Sequence, residues 1–422
     1  MYLAQKIELV LTDEHKKLLD SESTLCTRLY NELVAYAKNA VGDITKPHRI
    51  TSNELYEATK NILNENEEYK RLSYSSISSL QYKLNEALKL YYSKQKGFPK
   101  FKSARLIWTN LFFTTRYPRI KIKGRDVAIV LGNNKDGVNS RKIIHAKLKY
   151  HLRKHESIVN YRITKSAGRY YLGISLNVNP NTHLKKTNKY IAIDLNHSNF
   201  FVAVDSQGES FEFESLKTAQ IHDANIDAIK KKRDTNHTTK IDRADGSTYT
   251  VFSNAYLFYN DIVLKEYVKK YKDLRRIFYM ISNYLVERYD IIAIGDYTPQ
   301  VRDTTNKSMR RSMINESYNT DFRTILENVC KKNDKKFILV NENSTTSKCF
   351  YCGHYDPKNP IIRKFTCPIC HKTLYRDLNS AINIGLKANI FNKSKFSFLD
   401  LTHPKYKMFY HFHKQSLIKY KL

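Results

Sequence analysis

Two short cysteine motifs constrain this chain more than any other feature. CFYCG at residues 349–353 and CPIC at 367–370 each place two cysteines three positions apart, with fourteen residues between the pairs. Two such turns brought together supply four thiolates at tetrahedral reach, the donor set of a closed structural zinc site. Cys349, Cys352, Cys367 and Cys370 are therefore the expected Zn²⁺ ligands, and His354 and His371 beside them are substitutes that the site does not need. Cys26 and Cys330 fall in helical patterns and read as core residues.

The charge balance narrows the partner. Lys and Arg number 72 against 41 Asp and Glu, a formal charge of +31, far beyond what solubility needs. A polyanion is the expected partner. The 31 Tyr and 20 Phe are interleaved with lysine, as in YKLNEALKLYYSKQKGFPKFK, a mixture suited to neutralising phosphates and stacking bases. Lys100 and Lys102 in GFPKFKS and Arg233 are the candidate phosphate contacts, against the plainer reading that each is a solvated surface charge. No window approaches 18 consecutive apolar residues and no signal-type segment follows Met1, so neither a membrane nor secretion is expected. The expected setting is intracellular and reducing: the nucleus in a eukaryotic or viral host, the cytoplasm or nucleoid in a bacterium.

Along the chain, YLAQKIELVL (2–11) alternates as a strand, and from Asp13 to about Tyr92 apolar residues recur three and four apart as in helices. Gly97 and Pro99 end that pattern, and short alternating runs up to Pro180 read as a small β-barrel or open sheet that the first strand joins. Beyond residue 185, buried-looking strands alternate with helices near 218–232, 254–288 and 317–332, the signature of an α/β domain on a mixed sheet.

Four carboxylates stand at the ends of these elements. Asp194 closes YIAID, Asp296 follows IIAIG, Glu342 closes KFILVNE, and Asp377 opens the helix RDLNSAIN. An acid ending an apolar strand is costly unless it faces solvent or a cation, and a cluster of them at one sheet edge can hold Mg²⁺. Asp377 has an alternative as a simple helix N-cap.

In this order, and around a four-cysteine insertion, GFPKFKS, IAIDLN, TTSKCFYCG and RDLNSAINI resemble the RuvC-like nuclease of the transposon-encoded TnpB family, its Fanzor relatives and the type V CRISPR effectors. The resemblance implies a multidomain α+β protein. Its parts would be an RNase H-like (RuvC) α/β domain (185–345 and 372–395) and a zinc-finger insertion (346–371). A wedge-like β-barrel (1–12 and 97–184), a helical recognition domain (13–96) and a C-terminal tail (396–422) would complete it. It also implies an RNA-guided DNA endonuclease with an element-encoded guide RNA, a double-stranded DNA target beside a short flanking motif, and two Mg²⁺ ions. Asp194 and Asp377 match the family's first and third metal-binding motifs. The second departs from the pattern, because Gly295 occupies the usual glutamate position. Asp296 points to the opposite face of its strand, so Glu342 is the expected replacement, reaching across to the space above Gly295, and Asp296 is the lesser candidate. A guided DNA-binding repressor that has lost cleavage remains the alternative.

Overall fold

The computed structural model describes residues 2–42, 48–103, 108–115, 119–131, 142–179, 184–196, 199–235, 238–242, 248–297, 318–357, 362–396, 399–411 and 414–422. Two compact units divide the chain, Met1–Asn179 and Pro180–Leu422. No described helix is long and apolar enough to cross a membrane.

In the first unit, β1 (Tyr2–Val10) is followed by α1 (Asp13–Val41), α2 (Ser52–Glu65) and α3 (Tyr74–Tyr92). The helices start where side chains satisfy free backbone donors: Thr12 caps α1, and Thr51 with Glu54 forms a reciprocal capping box on α2. Six strands follow: β2 (Leu111–Thr114), β3 (Ile120–Lys123), β4 (Asp126–Leu131), β5 (Lys142–Leu148), β6 (Ser157–Ser166) and β7 (Arg169–Asn177). They pair in the order β2-β6-β7-β1-β5-β4-β3. The first strand joins the two halves, pairing with β7 from Tyr2 to Glu8 and with β5 at Leu9 and Val10. Among the described residues β2 and β3 are the two edges, so the order is that of an open sheet, where the sequence offered either a barrel or an open sheet. Asp20 on α1 accepts hydrogen bonds from Trp108 (2.9 Å), Tyr170 (2.7 Å) and Lys165 (2.8 Å), tying the helix to the sheet.

The second unit is built on a mixed sheet of seven strands. They are β8 (Tyr190–Leu195), β9 (Phe201–Asp205), β10 (Ser210–Phe213), β13 (Ile291–Gly295), β14 (Lys336–Val340), β17 (Tyr406–His411) and β18 (Ser416–Lys421). Their order is β14-β13-β8-β9-β10-β17-β18. Residues 396–422, expected only as a tail, thus supply two strands, β17 lying parallel to β10. Their sequences, YKMFYH and SLIKYK, lack a clean apolar–polar alternation over their length, so no local pattern marks them. Helices α4 (Lys217–Asp234), α5 (Asn254–Arg288), α6 (Asn319–Lys332) and α7 (Arg376–Lys387) complete the unit. Two small hairpins accompany them: β11 (Thr238–Asp242) with β12 (Thr248–Phe252), and β15 (Lys364–Thr366) with β16 (Thr373–Tyr375).

The period of two along each strand sorts the sheet's side chains into two layers. Ile191, Ile193 and Leu195 of β8 and Ile292 and Ile294 of β13 enter one core with α5 and α6. The intervening Ala192 and Ala293 enter another with Ile384 of α7 and Val340 of β14. The alanines let α7 lie close against that face. In the first core, fully buried Phe322 of α6 has ring centroids at 5.0 Å from Phe200, 6.0 Å from Phe201 and 5.6 Å from Phe278. Phe322→Ala is expected to cost about 3–5 kcal/mol of stability, read as a lower denaturant midpoint at unchanged slope.

Candidate active site

The same alternation decides which acids meet. Asp194 shares a face with Ala192, so it points toward α7, and the β13–β8 register puts Ile294 opposite Ile193 and hence Gly295 level with Asp194. Gly295 in turn pairs with Val340, and Glu342, two residues on, keeps the α7 face of β14. Asp194, Gly295 and Glu342 therefore lie on the face that α7 covers, and Asp377 sits in the first turn of that helix. The cap residue of α7 is Tyr375, with no side-chain cap, so Asp377 is not an N-cap.

A Cβ built on Gly295 would overlap the Oε1, Cδ and Cγ atoms of Glu342. The Glu342 carboxylate thus occupies the volume that a side chain at 295 would need. Its Oε1 is buried and accepts no hydrogen bond. Burial, with the nearby charge of Asp296, pushes its carboxyl up to about 7, despite a hydrogen bond from the Tyr297 backbone N–H and the charge of Arg323. Asp194 is buried; its Oδ1 accepts from Ser380 Oγ at 2.8 Å and its Oδ2 from Asn196 at 3.1 Å. Burial first, then the charges of Glu342 and Asp377, holds its carboxyl well above the usual range. Desolvated carboxylates brought close together, one with an unpartnered oxygen, are a donor set that suits hard divalent ions.

Asp296 has a different task. Its Oδ1 accepts the Glu342 backbone N–H at 3.0 Å and its Oδ2 the Asn341 amide at 3.3 Å. Lys387 of α7 donates to the carbonyls of Asn341 (3.2 Å) and Asn343 (2.5 Å), so the end of β14 is fixed from both sides. Arg323 of α6 donates to the carbonyls of Gly295 (3.2 Å) and Tyr297 (2.8 Å).

Asp377 is buried between two arginines. Arg363 meets its Oδ2 at 2.5 Å, and Arg376 meets its Oδ1 at 3.0 Å. Among the described residues, the carboxylates do not form a group with all donor atoms within 4.8 Å of one another.

The four cysteines do form such a group. Cys349 Sγ lies 3.7 Å from Cys370 Sγ, and Cys352 Sγ lies 3.5 Å from Cys367 Sγ. A tetrahedron with metal–sulfur bonds of about 2.3 Å has edges of about 3.8 Å, so the set fits Zn²⁺. Both turns close alike. Gly353 N–H donates to Cys349 O at 2.8 Å and His371 N–H to Cys367 O at 2.9 Å, with Gly353 at φ 81° and His371 at φ 54°. Neither His354 nor His371 joins the donor group.

Helix α7 links the cluster to the acids. Asn379 and Asn383, one turn apart, donate to the carbonyls of Lys348 (2.9 and 2.7 Å) and Thr345 (3.3 and 2.8 Å). Asn379 also accepts the Phe350 N–H at 2.9 Å, while Ser380 reaches Asp194. One helical turn therefore grips the first cysteine turn and the strand-end acid together. Sequence reasoning missed Asn379, Ser380, Asn383, Arg323 and Arg363. The legible signal was polar residues at 379, 380 and 383 inside an otherwise apolar helix, a pattern that is costly unless each polar group is paired.

The candidate phosphate contacts stand on other elements. Lys100 is exposed, and Lys102 is half-buried with its Nζ 3.7 Å from the Tyr30 ring centroid. Arg233 in the second unit pairs with Asp234 at 2.7 Å and donates to Asn260 at 3.1 Å, so its charge is largely met within the protein.

Residues 320–384, which run from α6 through the cysteine cluster into α7, match the family described as Cas12f1-like, TNB domain. A 68-residue segment is 37% identical to the CRISPR-associated DNA-binding protein Cas12m of Thermanaerosceptrum fracticalcis, spanning 15% of this chain and 11% of that relative's length. Among solved structures, the Cas12f1–sgRNA–target DNA complex aligns with a TM-score of 0.56 at 13% identity, over 89% of this chain and 83% of that one. The fold is thus similar to that of Cas12f1, and the segment carrying the cysteines and Asp377 is similar to type V CRISPR effectors.

Proposed function

We propose that this chain is an RNA-guided DNA endonuclease of the TnpB, Fanzor and type V effector group, of transposon origin, with Asp194, Glu342 and Asp377 as its Mg²⁺ ligands. The observation that carries this reading is Glu342 Oε1, buried, unpartnered and seated over the missing side chain of Gly295. Two Mg²⁺ ions held there would activate water and stabilise the leaving oxygen of a phosphodiester. The protein's own part is to hold the acids still: Ser380 and Asn196 orient Asp194, Asp296 and Lys387 fix the Glu342 segment, and Arg363 and Arg376 balance Asp377 until a cation arrives.

The formal charge of +31 supports guide RNA and double-stranded target DNA as partners, with base pairing reading sequence and the protein reading backbone and flanking motif. The same reading assigns the cysteine quartet a structural Zn²⁺, residues 13–96 to guide and target recognition, and 1–12 with 97–184 to the wedge. Purified with its co-transcribed RNA, the chain is expected to cut a matched duplex only when Mg²⁺ is present. Nuclease activity indifferent to RNA would identify an unguided resolvase instead.

Gly295→Ala tests the relocated glutamate without touching an acid. The added methyl displaces Glu342, so Mg²⁺ affinity is expected to fall by about 10- to 100-fold, as for loss of a group that orients a metal ligand, read by calorimetric titration. The double variant Gly295→Glu, Glu342→Gly returns a carboxylate to the same volume and is expected to recover binding. If Gly295→Ala binds Mg²⁺ normally, Glu342 is not the second ligand.

A second reading, a guided DNA-binding protein without cleavage, is favoured by the name of the Cas12m relative and by the two arginines that already neutralise Asp377. Its signature is tight, guide-dependent binding with Mg²⁺ present and no product. A single cut product eliminates it.

A further inference from the structure

In the first unit, three basic side chains from three different elements converge with no acid among them. The start of α3 is pinned to β2: Ser76 Oγ accepts the Phe112 N–H at 3.0 Å and Ser73 Oγ donates to Phe112 O at 2.9 Å. Two turns further along α3, Lys83 Nζ stands 4.6 Å from the Phe112 ring centroid. Arg162 of β6 is directly opposite Phe112 in the antiparallel ladder, so it shares that ring's face. Lys102 arrives from the GFPKFKS segment, its backbone held by Asn31 in both directions (2.8 and 2.9 Å) and its Nζ 3.7 Å from the Tyr30 ring centroid.

None of the three has a carboxylate partner among the described residues. Burial, then the charge of Arg162, lowers Lys83 below the usual lysine range; burial, then the charge of Lys83, does the same to Lys102. The buried thiol beside them, Cys26, is pushed up to about 12 and so carries no charge at neutral pH. The buried acid one turn earlier on α1, Glu22, faces Arg71 at 3.4 Å. Two half-buried ammonium groups and a guanidinium thus repel one another, and the aromatic faces behind the lysines offset only part of that cost. An anion from outside would complete the charge balance.

We infer that Lys83, Lys102 and Arg162 form a binding site for a backbone phosphate of a nucleic acid. Exposed Tyr82 and Phe101, each next in sequence to one of the lysines, offer faces for stacking bases beside it. The site involves none of the acids or cysteines of the second unit, so its test measures no cleavage and its failure leaves the nuclease proposal standing.

The test compares the full-length chain with Lys83→Met and Lys102→Met, each freed of nucleic acid by high salt. Binding of a labelled random-sequence DNA duplex and of a labelled RNA hairpin is measured over a range of salt. Loss of one phosphate contact is expected to make the slope of log K against log salt shallower by about one. A change with one probe only names the source of the phosphate. Thermal unfolding gives an independent readout: removing an uncompensated charge is expected to hold or raise Tm and to shrink the Tm gain that inorganic phosphate gives the unaltered chain. Unchanged slopes with both probes, whichever way Tm moves, overturn the site.

Discussion

Glu342→Gln is expected to abolish guided DNA cleavage while guide-dependent target binding persists. The substitution keeps the shape of the side chain and removes the charge that a divalent ion needs. Metal-ion stabilisation of transition-state charge is worth several kcal/mol, which at 1.36 kcal/mol per decade is a loss on the order of 1,000-fold in rate. Asp194→Asn should match it, because Asp194 already feels the charges of Glu342 and Asp377 in the folded chain. Asp296→Asn should behave differently. Its side chain accepts the Glu342 backbone N–H at 3.0 Å, and an amide oxygen can still accept that bond, so most activity is expected to survive. Single-turnover cleavage of a matched duplex checks all three. A dead Asp296→Asn beside a normal Glu342→Gln would transfer the ligand role to Asp296.

The second large effect is expected from the cysteine cluster. Cys352 is exposed, so Cys352→Ser removes a metal ligand with little loss of packing. Zinc content should fall from about one ion per chain toward none. Cys349 and Cys367 are buried with Phe350, Leu374, Leu378 and Ala381, so this small core loosens with the metal. Losing several kcal/mol of metal-linked folding energy lowers Tm by on the order of 10 °C, at about 2–4 °C per kcal/mol for a unit of this size. Cleavage should fall as well, because Asn379 and Asn383 grip the Thr345–Phe350 turn from the helix that carries Asp377. Unchanged zinc content and thermal stability in Cys352→Ser would show that the quartet is not a structural metal site.

Much of this chain was legible from local pattern. The continuous apolar runs IAI and IIAI mark buried strands and the Cys-x2-Cys spacing marks a metal knuckle, while the resemblance to the family's second motif is what flags the absent side chain of Gly295 as a departure. Other features have no local trace. The strand at 406–411, paired on both sides, and the strand at 416–421, at the edge of the described sheet, carry no clean alternation over their length, and the β11–β12 hairpin sits between two long helices without a strong alternation of its own. Arg363 meets Asp377 only because the β15–β16 hairpin folds it back across fourteen residues of sequence.

By itself the sequence determined the chemistry available: which strands end in carboxylates, which turns carry thiols, and how large a cationic excess the chain must balance. Only the tertiary structure decided which of those groups meet. The parallel registers that set Gly295 level with Asp194 and against Val340 are agreements between strands about 45 to 100 residues apart, and no local propensity fixes them. The same holds for the grip of Asn379 and Asn383 on the cysteine turn. Burying an amide is favourable only once its partners are in place, so its meaning depends on the folded chain and not on its neighbours in sequence.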